Sequence, residues 1–235
     1  MTGSARPGFL LPPGPEHIRR AAEACRAGEL VIVPTETVYG VAVRADSPGA
    51  LERLRAAKGR EAGKHLTRMA AEADAIRAAG IPMEDAARRL AEAFWPGPLT
   101  LVLPDGAGGW EGFRVPDHPV ALAWLRELEL LPAVTSANRS GQPPALTAQD
   151  AWAALEPHAA LALDAGPSPG GRASTVVRVG AEALEILRAG PIGAEELERA
   201  ARLPVRSAVS CGGGGLGSAI PNGSGPGRRS GLRSP

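Results

Sequence analysis

Polar side chains crowd the ends of three apolar runs in this chain, and these residues are equipped for chemistry. Leu30–Val33 runs into Pro34, Thr35, Glu36, Thr37 and Tyr39, the single tyrosine of the sequence. The run through Ala133 and Val134 ends in Thr135, Ser136, Ala137 and Asn138, and Leu184–Leu187 ends in Arg188, Ala189 and Gly190. Each cluster alone reads equally well as a cap or a turn, since Thr, Ser and Asn serve both. Three together point to a shared crevice, because ligands of open α/β sheets bind beyond the carboxyl ends of the strands.

The cations are distributed unevenly. Lys58 and Lys64 are the only lysines, and the other 24 of the 26 basic residues are arginine. A compact ammonium suits a single phosphate oxygen, whereas guanidinium is a planar fork. A solvated helix C-terminus is the bland alternative, and it accounts for Lys58 better than for Lys64. The stretch is not a P-loop: three residues separate Gly59 from Gly63, and His65 stands where Ser or Thr is needed. Arg114 and Arg188 lie among apolar strand residues. Burying an unpaired charge is costly, so each demands an anion, with a structural ion pair as the competing reading. Ser136 and Ser174 lack a G-x-S-x-G elbow, and His17, His65, His118 and His158 show neither triad nor metal spacing. Cations and hydroxyls without an acid–base pair suit phosphoryl or nucleotidyl transfer, which relies on positioning and charge stabilisation, often with Mg²⁺.

The elements that must position these groups alternate. Helices are predicted over 16–27, 47–59, 83–97, 118–128, 147–156 and 193–203, with Ser47 and Thr147 as N-caps. Strands are predicted over 30–33, 99–103, 112–116, 131–138, 161–166, 174–179 and 184–190. This pattern gives one α/β domain with a mixed sheet. Residues 1–14 read as a flexible N-terminus, 15–206 as the domain, and 207–235 as a disordered Gly/Ser/Arg tail too poor in apolar surface to fold. The net charge is +1, and the tail carries Arg228, Arg229 and Arg233 with no acid, so the remainder is about −2 by subtraction. That near-neutral body argues against a protein that coats nucleic acid. Cys25 and Cys211 form no CxxC or metal pattern, and no apolar run is long enough to span a bilayer, so a cytoplasmic, soluble protein is expected.

The ordered strings PTETVYG, KGR, FWPGPLTLVL, RVPDHP, TSANRSGQP, STVV and ILRAG resemble the YrdC/Sua5/TsaC family over about residues 16–200, in its short form. The resemblance implies a twisted mixed sheet flanked by helices around an open central cavity. It also implies threonylcarbamoyl-AMP synthesis from L-threonine, bicarbonate and ATP with Mg²⁺, for modification of adenosine 37 in tRNA by threonylcarbamoyl-transfer proteins. Carried over by motif, Lys58 and Arg60 are catalytic. ATP falls to Lys58, Arg60, Lys64, Ser136, Asn138 and Arg188, and threonine to Thr35, Arg114, Val134 and Ser174. No metal ligand is assigned.

The chain departs from the family's usual strings in places. Thr67 and Arg68 replace apolar strand residues, Met69 stands where a substrate-contacting histidine is usual, and Pro144 replaces a hydroxyl residue. The same scaffold also suits two other readings. One is a module that binds tRNA or double-stranded RNA; the other is a paralogue with a different acceptor.

Overall fold

The computed structural model describes residues 9–59 and 66–206. The first half contains β1 (Leu10–Leu11), α1 (Pro15–Arg26), β2 (Leu30–Val33), β3 (Gly40–Val43), α2 (Pro48–Lys58), β4 (Thr67–Met69), α3 (Ala73–Ala78) and α4 (Asp85–Phe94). There follow β5 (Leu99–Pro104), β6 (Trp110–Arg114), α5 (Pro119–Leu128), β7 (Ala133–Ser136), α6 (Ala148–Leu155) and β8 (Ala159–Leu163). The last described elements are β9 (Thr175–Val179), β10 (Leu184–Arg188), α7 (Ala194–Ala201) and β11 (Val205–Arg206).

All strands join one mixed sheet in the order β1-β8-β2-β3-β7-β4-β6-β5-β9-β10-β11. Its centre is buried on both faces, which is why β2 (LVIV) and β3 (GVAV) read as continuous apolar runs rather than alternating ones. The period of two is still visible in what each side chain meets. Leu30 and Ile32 pack with Leu54 of α2 and Leu155 of α6, while Val31 and Val33 pack with Cys25 of α1 and Trp124 of α5. Farther along the sheet, Leu99, Leu101, Phe113 and Val177 pack against Leu90 of α4 and Leu197 of α7. With so few aromatics, aliphatic interdigitation supplies most of the core.

Local chemistry sets several helix ends. Ser47 Oγ accepts from Ala50 N at 3.3 Å and Thr147 Oγ1 from Asp150 N at 3.1 Å, as expected of N-caps. Gly59, at φ 58°, ends α2 in the left-handed conformation and leaves Lys58 in its last turn.

The expected flexible segment 1–14 is corrected from Phe9 onward, where the described residues begin. Leu10 and Leu11 pair in parallel with Ala162 and Leu163, Leu11 is buried, and Phe9 stacks on Trp152 with centroids 5.7 Å apart. Edge pairing and one aromatic contact order a segment that composition marks as loose. The central strand β3 and the short elements β1, β4, α3 and β11 have no counterpart in the sequence-based assignment. The expected tail at 207–235 and the stretch with Arg60, Lys64 and His65 lie outside the described residues.

Candidate active site

The six residues linking β2 to β3, numbers 34–39, fold around one hydroxyl. Thr35 Oγ1 donates to Val38 O at 2.6 Å and accepts from the amides of Thr37 (3.3 Å) and Val38 (3.2 Å). Thr37 Oγ1 lies 2.9 Å from it. Both threonines are buried, so these bonds satisfy polar atoms that would otherwise be costly to bury. Thr37 does not line the hollow; its hydroxyl accepts from Arg114 Nη1 at 3.0 Å.

Arg114, the last residue of β6, is 4% exposed and wired on three sides. Nε donates to Gly97 O at 3.0 Å, Nη1 to Thr37, and Nη2 to Glu36 Oε1 in a buried ion pair. Burial pushes its pKa down, and the Glu36 charge opposes that shift. Guanidinium has five N–H donors, so two remain for a ligand. The other oxygen of Glu36, Oε2, is buried with no hydrogen-bond partner among the described residues, as is Nδ1 of His118.

Opposite Arg114 lies a hydroxyl pair, Thr100 Oγ1 and Ser174 Oγ, 2.9 Å apart. Arg188, exposed at the end of β10, donates from Nη2 to Ser174 Oγ and from Nε to Ser174 O, each at 3.0 Å. Burial of part of its side chain, and then the nearby Arg114 charge, lower its pKa. Gly190 lets the chain turn away here, because a Cβ would stand 2.2 Å from Thr175 N.

At the end of β7, Lys58 Nζ donates to Ser136 O and, at 3.3 Å, to Asn138 Oδ1. Asn138 Nδ2 in turn donates to Arg139 O (2.9 Å) and Gln142 O (2.6 Å), bracing the turn that follows the strand. The lysine's backbone oxygen accepts from Ser140 N at 3.0 Å. A cation at the C-terminus of α2 therefore ties that helix to the end of a strand on which a candidate ligand-binding serine sits.

Thr35, Arg114, Val134, Ser136, Ser174 and Arg188 line one hollow of about 120 Å³. Lys58 and Asn138 stand behind its Ser136 wall. Sequence reasoning missed Thr100, which also lines it, and gave Thr135, another lining residue, no role beyond its place in a polar strand end. Thr100 had a readable signal: Leu99, Leu101 and Leu103 face the core, so the residue between the first two must face away. The same alternation sends Thr67 and Met69 into the hollow and Arg68 out of it, to Leu131 O at 2.7 Å and Glu111 Oε1 at 3.1 Å. Pro144 is not among the lining residues. No group of three or more His, Cys, Asp or Glu forms a metal centre among the described residues, so no protein ligand is assigned to Mg²⁺.

Fold and site together define an α/β protein whose strand ends gather cations and hydroxyls around a small-molecule hollow. The family profile described as "Telomere recombination" (Sua5/YciO/YrdC) matches residues 23–190, and the chain belongs to this family. A Mycobacterium tuberculosis protein, provisionally named a threonylcarbamoyl-AMP synthase, is 39% identical over 186 residues, 75% of this chain and 85% of that protein. The threonylcarbamoyl-AMP synthase of Bacillus subtilis is 37% identical over 191 residues, which span 77% of this chain and 55% of that protein. The structure of Pyrococcus abyssi Sua5 complexed with L-threonine shares the fold at a TM-score of 0.75 and 33% identity, over 80% of this chain and 58% of that one.

Proposed function

We propose that this protein is an L-threonylcarbamoyladenylate synthase, forming threonylcarbamoyl-AMP and pyrophosphate from L-threonine, bicarbonate and ATP. The observation that carries the reading is the hollow in which Arg114, held by Glu36, Thr37 and Gly97, faces Ser174 and Arg188. Similarity to relatives bearing that name, and to a solved relative complexed with L-threonine, supports it.

In this reading the amino acid's carboxylate takes the two remaining N–H donors of Arg114, a bidentate pairing suited to guanidinium. Thr35, Val134 and Ser174 surround the rest of the threonine. Bicarbonate gives CO₂ and hydroxide; the ammonium loses one proton to solvent, its nitrogen bonds to the CO₂ carbon as one C=O pair moves onto oxygen, and the nitrogen loses a second proton to leave a carbamate. A carbamate oxygen then bonds to the α-phosphorus of ATP, the bond from that phosphorus to the bridging oxygen breaks, and pyrophosphate leaves with the electron pair. Both reactants are anions, so their approach in water is repulsive. Lys58, Arg60, Lys64 and Arg188 offset that repulsion. Ser136 takes the nucleotide side, and Asn138 holds the turn beneath it. Mg²⁺ bound to the nucleotide phosphates would supply further neutralisation of their charge.

The product suits transfer to adenosine 37 of tRNA by partner proteins in the cytoplasm. The test is mass spectrometry of the products from ATP, bicarbonate and individual amino acids. Threonylcarbamoyl-AMP with threonine- and bicarbonate-dependent pyrophosphate release is expected. An adenylate formed only with another amino acid would indicate a different acceptor. Salt-sensitive RNA binding without any pyrophosphate release would indicate a binding module.

A further inference from the structure

The 34–38 loop does not hold its shape alone. Residues 164–171, DAGPSPGG, lie across it between β8 and the Ala173–Ser174 wall of the hollow. Ser168, itself buried, donates from Oγ to Thr35 O at 2.9 Å, and its amide donates to Leu146 O at 2.8 Å. Gly170 N donates to Glu36 O at 2.8 Å. The hydroxyl of the fully buried Tyr39 donates to Gly166 O at 2.7 Å and accepts from Ala165 N at 3.2 Å. The two segments meet backbone to backbone: a Cβ at Gly170 would lie 2.6 Å from Glu36 O.

The strap therefore satisfies the main-chain oxygens of both Thr35 and Glu36. Those two residues lead directly to the ligand groups. Thr35 lines the hollow, while Glu36 and Thr37 hold two of the three anchored donors of Arg114. A loop carrying unpaired buried carbonyls would shift to find partners, and the Arg114 fork would turn with it. Small displacements of a bidentate fork are expensive because its geometry supplies the specificity.

We infer that Ser168 and the Tyr39 hydroxyl, carried on a ring that itself lines the hollow, are positioning groups for the amino-acid substrate, acting through the 34–38 loop on Arg114. The inference rests on the proposed synthase reading. It predicts a selective defect: amino-acid affinity falls, while the ATP end of the hollow, held separately by Lys58 and Asn138, keeps its affinity.

The test uses the full chain with Ser168→Ala and Tyr39→Phe, assayed by pyrophosphate release. The expected result is a threonine KM raised about tenfold, with kcat and ATP KM within about twofold of the parent. Hydrogen exchange at the Thr37 and Val38 amides, measured without substrates, is expected to accelerate in both variants. An unchanged threonine KM, or a fall in kcat alone, would overturn the inference, as would unchanged amide exchange. If Ser168→Ala does not fold, Tyr39→Phe, which keeps the ring, carries the test. A parent protein that makes no adenylate would refute the synthase reading, while the exchange measurement would still report on the strap.

Discussion

The two guanidinium groups that share the hollow are held in opposite ways. Arg114 is buried, paired with Glu36, and fixed by Thr37 and Gly97 before any ligand arrives. Arg188 stands exposed at the rim, bonds only Ser174, and has no carboxylate partner among the described residues. The difference separates two tasks. A fixed fork selects a small carboxylate by geometry, since its orientation is set in advance and little entropy is lost on binding. A rim cation with slack in its side chain can follow a longer anion such as a triphosphate. Each also raises the electrostatic cost of leaving the hollow empty of anions, because the two positive charges repel.

Substitutions can break this contrast. Arg114→Ala is expected to have the largest effect, because it damages two things at once. Removing one partner of a buried pair leaves Glu36 uncompensated, at a cost of about 3–5 kcal/mol in stability. Threonine-dependent kcat/KM should also fall more than about a hundredfold. Denaturant unfolding and pyrophosphate release read the two losses separately. Lys58→Ala comes next, with about a hundredfold loss of turnover; near-normal turnover would remove Lys58 from the ATP site. Arg188→Ala should raise the ATP KM about tenfold without a measurable change in unfolding midpoint, as a partly exposed side chain without an ion pair among the described residues predicts.

The smallest effect concerns His118, which neighbours the Glu36 charge. Burial lowers its pKa below the ordinary value, with Glu36 and Asp117 opposing. Below about pH 6.5 the unfolded chain then binds a proton more readily than the folded one. The stabilising contribution is therefore complete above that pH and is lost as pH falls toward the depressed folded value. His118→Gln should show a shallower loss of thermal stability on acidification than the parent, and parallel profiles would discount the histidine.

Much of this arrangement was legible in the chain itself. The polar strand ends at 34–37, 135–138 and 188–190 pointed to one crevice, and Thr35, Ser136 and Arg188 do line one hollow. Arg114 among apolar neighbours demanded an anion, but its partner Glu36 stands 78 positions away, and nothing local to either residue announces the pair. Sheet order is long-range in the same sense: β4, three residues with no usable periodicity, becomes a strand only because β6 and β7 flank it. The strap over the loop escaped for a third reason. DAGPSPGG has the composition of any surface turn, and its role lies in a backbone approach that only glycine permits.

The most direct measurement of the division between the two ends is a pair of substrate titrations on Arg114→Lys, which keeps the charge and removes the fork. With ATP and bicarbonate saturating, the threonine KM should rise more than about tenfold, and with threonine saturating the ATP KM should stay within about twofold. A rise in the ATP KM with threonine affinity intact would contradict the placement of the amino-acid carboxylate on Arg114.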